Sequence, residues 1–154
     1  MSDKTTDNAY LRLIEIGKAL SAERNIDSLL QHILEEAKSL ATADAGTIYL
    51  NLDKISLKFA IVLNDTLDSR RDNASGSMNL PDISLYNSDG SPNLNNIASS
   101  AAHSGETIVV GDVASIEELG FSGPKKFSKL LDYPTISLLT VPLKTMADES
   151  LGVL

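Results

Sequence analysis

The 154-residue sequence contains no cysteine and no tryptophan, and aromatic residues make up only 5% of it. Without cysteine there is no disulfide, no thiolate metal ligand, no cysteine nucleophile and no thioether attachment of a chromophore. Positive charge is scarce too: 13 Lys and Arg face 21 Asp and Glu, for a formal net charge of -8. That balance argues against a surface for nucleic acid or anionic membrane, which would need clustered Lys and Arg. The pair Arg70-Arg71, flanked by Asp68 and Asp72, reads as a solvated loop. No apolar run approaches the roughly 20 residues that span a bilayer. The start, Met1-Ser2-Asp3-Lys4, lacks the basic and apolar regions of a secretory leader, so a cytoplasmic location is expected.

Catalytic patterns are missing as well. The sequence has no Gly-x-Gly-x-x-Gly, no Gly-x-x-x-x-Gly-Lys and no Gly-x-Ser-x-Gly; Gly120-Phe121-Ser122-Gly123 is only superficially similar to the last. His32 and His103 fall on different expected helices with no carboxylate at ligand spacing, so a metal site is not expected. The carboxylate pairs Glu35-Glu36 and Glu117-Glu118 are adjacent in sequence and do not converge on one substrate. No catalytic activity is expected of the chain, and no cofactor.

What remains is a well-patterned chain of single-domain length with 42% apolar residues. Residues 1–7 are polar and are expected to be disordered. From Asn8 to Ala22, Ala9, Leu13, Ile16 and Leu20 recur at helical spacing, with Tyr10 and Ile14 as a second stripe. Such a helix is either buried all along its wide apolar face or uses the second stripe for a partner. A second helix follows, with Asp27 as N-cap and Ile26 as a hydrophobic staple to Leu30 or Ile33. Leu29, Leu30, Ile33, Leu34, Ala37, Leu40 and Ala41 form its inner face, Gln31, Glu35, Glu36 and Lys38 its outer one, and it ends near Ala41–Asp44.

The period then changes. Ala45 to Leu50 is short, β-branched and aromatic; Leu52-Asp53-Lys54 turns the chain. Ile55 to Phe59 alternates and Ala60-Ile61-Val62 continues without alternation, predicting an antiparallel hairpin. Residues 64–77 read as a long loop, Met78 to Tyr86 as a weak strand restricted by Pro81 to an edge, and Asn87 to Pro92 as a turn. A third helix is predicted over Leu94–His103 with Gly105 as terminator, then a strand at Thr107–Val110 and a helical turn at 114–119. Gly123-Pro124 opens a short helix with Phe127, Leu130 and Leu131 inward. Ile136 to Val141 reads as a central strand covered on both faces, and Leu151 to Leu154 begins another. An unfinished apolar strand at the end suggests a fragment of something longer.

That order of elements resembles a GAF domain, over about Asn8 to Leu154. Three stretches carry the resemblance: Asn25 to Leu30 through Ala43 to Leu50; Ile97 to Glu106 followed by Ile108 to Asp112; and Lys126-Phe127 through Tyr133 to Ser137, Val141-Pro142-Leu143 and Leu151 to Leu154. The family often has Gly where Asn96 and Ser99 stand, and an Arg pair where Pro134 and Ile136 follow Tyr133. Its covalent bilin-binding and methionine sulfoxide-reducing branches need cysteine, which is absent. A related sheet-and-helix sensor of the PAS type is a second fit.

The resemblance implies an α+β fold: an antiparallel sheet of about six strands with helices on both faces. It implies one domain over 8–154 that lacks its final strand end and C-terminal helix. It also implies a sensory module that binds a small molecule, with a cyclic nucleotide as one candidate, and controls a downstream cyclic-di-GMP phosphodiesterase or synthase, nucleotide cyclase or sensor kinase. The pocket would be lined by Tyr49, Phe59, Ile97, Ala98, Asp112, Phe127, Thr135 and Ser137, with backbone N–H groups near Asn96-Ile97 for an anionic group. Against this, Tyr49, Phe59 and Phe127 also read as ordinary core and Asp112 as a turn cap. Lys125, Lys126 and Lys129 read either as an anion-attracting rim or as a solvated helix face. The alternative function is a ligand-free dimerisation scaffold of the same fold, a homodimer through Tyr10 and Ile14.

Overall fold

The computed structural model describes residues 3–67, 69–72, 81–116, 120–121 and 133–154, with the backbone alone for 3–10 and 69–72. Helix α1 spans Asp3–Ala22, starting five residues before the predicted Asn8. Helix α2 spans Ile26–Ala41. Its N-cap is Asn25 rather than Asp27: the Asn25 side-chain oxygen accepts from the Asp27 and Ser28 amides at 2.9 and 3.1 Å. With the cap moved back, Ile26 becomes the first helical residue and is exposed, so no staple forms. Thr42 closes the helix in the left-handed conformation, its amide bonding back to Lys38 and Ser39.

Strands β1 (Ala45–Leu50) and β2 (Ser56–Asn64) form the predicted antiparallel hairpin, with a register shift between Ile48 and Tyr49. Residues 64–77 were expected to be loop, yet β3 (Ser69–Asp72) lies within them and pairs antiparallel with β2 from Ile61 to Asn64. The bare edge of β2 supplies backbone partners there that composition does not reveal. The predicted strand over Met78–Tyr86 is reduced to β4 (Ile83–Ser84), which pairs with the start of β2; Met78 to Leu80 lie outside the described residues. Helix α3 spans Ile97–Ser104, and β5 spans Ile108–Val110, followed by a 3-10 turn over Val113–Ser115. The chain closes through β6 (Leu138–Thr140), β7 (Pro142–Lys144) and β8 (Ser150–Val153).

The main sheet runs β3-β2-β1-β8-β7, with β4 on β2, and β5-β6 form a second small sheet. Every described pairing is antiparallel. The predicted strand over Ile136–Val141 is therefore corrected: only Leu138–Thr140 is strand, and Ile136 and Leu139 are exposed. Its pairing is divided: Leu138–Thr140 pairs with β5, while Val141 exchanges backbone bonds with Leu154.

Helix α2 covers one face, packing Leu34 against Ile48, Ile61 and Leu63. Contact is close at Gly46, where a Cβ would stand 2.6 Å from Leu34. Lys38, predicted on the outer face, is buried there and its ammonium pairs with Asp65; Leu40, predicted inward, is exposed. Helix α3 covers the other face, packing Ala98 and Ala101 against Leu57, Leu85 and Val153. Helix α1 lies on α2, Ile16 and Leu20 half-buried, with Arg12 bonded to Glu36 and Ser39. Among the described residues no helix is long and apolar enough to cross a membrane.

Candidate functional site

The site expected from sequence lies on the α3 face of the sheet. The register pairs Tyr49 with Phe59 directly across β1 and β2, and their ring centroids are 4.6 Å apart at 54°. Tyr49 packs against the cluster that contains Ala98 and Ala101, which places both rings beneath α3. Loss of water around the Tyr49 hydroxyl pushes its pKa above the ordinary phenol range.

Helix α3 is short and is defined by its ends. The Asn96 side chain accepts from the Ala98 and Ser99 amides at 3.0 and 3.2 Å, and Gly105 ends the helix at φ 67°. Leu94, predicted within the helix, precedes the cap and is exposed. Because Asn96 itself occupies the Ala98 and Ser99 amides, only part of the expected anion-facing backbone is available. Ser99 is fully buried, and its hydroxyl reaches the Leu85 carbonyl at 3.5 Å. The same carbonyl accepts from the Asn93 amide at 2.9 Å and from His103 Nε2 at 2.7 Å. A carbonyl can only accept, so Nε2 carries the proton in this contact. The Tyr86 ring meets the imidazole edge-on at 5.2 Å. His103 thus fastens the 85–93 turn to α3.

Of the predicted wall, Tyr49, Phe59 and Ala98 are brought together. Ile97 belongs to the neighbouring cluster with Val110, Val113 and Ile116. The Asp112 carboxylate accepts from the Ala114 amide at 2.8 Å and caps the 3-10 turn while itself exposed. Thr135 is half-buried and Ser137 exposed in the irregular segment leading to β6. Phe127, the three lysines near it and the predicted helix at Pro124 lie outside the described residues, as does the second half of the turn predicted at 114–119. Among the described residues no group of three or more His, Asp or Glu is placed to share a metal ion.

One cluster has no counterpart in the sequence reading. Tyr133 donates its hydroxyl to Asp44 Oδ2 at 2.5 Å, and Thr66 donates to Asp44 Oδ1 at 2.9 Å. Hydrogen bonding from Tyr133 and then from Thr66 holds the Asp44 carboxyl below its ordinary range. Desolvation and the bond to Asp44 push the Tyr133 phenol up to about 12. Tyr133 and Asp44 are 89 positions apart, so no local pattern links them.

These features define an α+β domain whose antiparallel sheet is covered by helices on both faces, with an aromatic pair beneath the shorter one. The particular family follows from comparison: the GAF domain family model matches residues 25–154, and the chain belongs to the GAF domain family, whose members are regulatory and sensory modules. Solved structures that share its fold include two GAF domains. The GAF domain of an Acinetobacter phosphoenolpyruvate-protein phosphotransferase is similar with a TM-score of 0.61 at 13% identity, covering 99% of this chain and 76% of that one. The corresponding Coxiella burnetii GAF domain gives 0.60 at 13% identity, covering 92% and 71%. No curated protein matches the chain.

Proposed function

We propose that this GAF domain is a non-catalytic sensor that binds a small molecule on the α3 face of its sheet and controls an output domain. A cyclic-di-GMP phosphodiesterase or synthase, a nucleotide cyclase or a sensor kinase is the class of output expected, in a cytoplasmic signalling protein. The observation that carries the reading is the Tyr49–Phe59 pair, 4.6 Å apart beside Ala98. Two tilted rings next to a capped helix start offer contact area for a planar ligand and, at the Ile97 end, a polar anchor for an anionic group. Cyclic nucleotides and small anionic metabolites are the ligand class to try. Ligand that binds only the folded state stabilises it by RT ln(1 + [L]/Kd), about 2.7 kcal/mol at a hundredfold excess over Kd. The experiment is a thermal shift panel of those compounds on the parent and on Phe59→Ala. A rise in Tm confined to the parent supports the reading, and no shift across the panel overturns it.

The second reading is a ligand-free dimerisation scaffold that also engages neither nucleic acid nor membrane. It is favoured by α1, where Leu11, Leu13 and Ile14 are all exposed on a helix that packs on α2.

A further inference from the structure

We propose that Tyr133 is a positioning residue: its hydroxyl bond to Asp44 fixes the 133–137 segment to the junction of α2 and β1. The description of 133–137 as a wall of the ligand site, through Thr135 and Ser137, rests on the function proposed above; the tether itself does not.

The 133–137 segment has no helix or strand of its own, so its position depends on contacts at particular points. At its far end the Ile136 carbonyl accepts from the Val113 amide at 2.8 Å. At its near end stands Tyr133. Pro134 restricts the residue before it to extended conformations, so the Tyr133 side chain is presented from a backbone with little freedom to lose.

The acceptor is equally well fixed. Asp44 occupies the joint between Ala41, the last residue of α2, and Ala45, the first of β1. Its second carboxylate oxygen takes the Thr66 hydroxyl, and its backbone carbonyl takes the Asp65 amide at 3.0 Å. Asp65 in turn pairs with Lys38, whose buried stem lies against Gly46. Through its carboxylate and its backbone carbonyl, Asp44 therefore joins residue 133 to Thr66 and Asp65 just past the end of β2, and Asp65 carries the link on to Lys38 of α2.

The chemistry favours a bond that persists at neutral pH. A carboxylate acceptor strengthens a hydroxyl donor's bond relative to a neutral pair. Asp44 is held ionised and Tyr133 is held protonated, which are the two states the bond requires. A displacement of the wall must then either break this bond or carry Asp44 with it. The second route reaches α2, and through Arg12 with Glu36 and Ser39 it reaches α1.

The test uses ligand-free protein, so the absence of a ligand does not affect it. Tyr133→Phe removes the hydroxyl and keeps the ring. By carboxyl NMR titration, the Asp44 midpoint should rise toward its ordinary value while that of Asp53, in the β1–β2 turn, stays in place. Backbone order parameters of Thr135, Ile136 and Ser137 should fall from the rigid range near 0.85 toward about 0.6, with β2 unchanged. Asp44→Asn should loosen the same three residues, and the double variant should loosen them no further than Tyr133→Phe does. An unmoved Asp44 midpoint, or unchanged order at 135–137 in Tyr133→Phe, overturns the proposal.

Discussion

Asp53 shows how much a single side chain settles. In the tight turn between β1 and β2, its carboxylate accepts from the Ile55 and Ser56 amides at 2.9 and 2.8 Å and pairs with Lys58 at 3.3 Å. The two amides, Ile55 first, hold its pKa far below the ordinary 3.8. A depressed native pKa gives stability that is fully present above the unfolded value and is lost as pH falls through 3.8 toward the native midpoint. Urea midpoints of the parent and of Asp53→Ala should therefore differ most near neutral pH, and the gap should start to narrow only below about pH 4 and keep narrowing in stronger acid. A gap that stays constant into acid would remove Asp53 as the cause. The turn was legible because Asp accepts local backbone bonds. The Tyr133–Asp44 pair was not, since 89 positions separate its members and each looks ordinary alone.

At the scale of the element, caps and period changes carried most of the reading. The second helix was placed by its 3-4 spacing, yet its start was misassigned because Asn25 and Asp27 are both good caps two positions apart. Asn25→Ala should cost about 1 kcal/mol in chemical denaturation, as typical for a lost N-cap. Asp27→Ala, which loses only a carboxylate in the first turn, should cost a few tenths. Equal costs would restore Asp27 to the cap. The strand at Ser56–Asn64 was also legible, and the loss of alternation after Phe59 has a structural meaning. Tyr49 pairs with Phe59 but Ile48 pairs with Ile61, which leaves Ala60 as the extra residue of a bulge. By contrast, the near-continuous apolar run at Ile136–Val141 gave no sign that its backbone divides between two partners, β5 for Leu138–Thr140 and Leu154 for Val141.

Across the whole molecule, the layers were readable because each helix announces one apolar face and each hairpin one joint. Where an apolar face goes uncovered is not readable in that way. Leu11, Leu13 and Ile14 on α1, and Val109 and Leu139 on the small sheet, are apolar in sequence and exposed in the fold. If α1 serves a second copy, Ile14→Asp should convert a sedimenting dimer to a monomer while leaving the circular dichroism of the fold intact. Identical sedimentation of the two proteins would eliminate α1 as that surface.

The extra residue at Ala60 has a consequence for how this domain is able to change. Before it, Leu57 and Phe59 serve the layer beneath α3; after it, Ile61 and Leu63 serve the layer beneath α2. One strand thus supplies both cores, and the handover depends on parity. Insertion or loss of one residue between Phe59 and Ile61 would send every later side chain to the opposite side of the sheet. Homologues that vary in length along this stretch are therefore expected to do so in steps of two, or in the turns at either end.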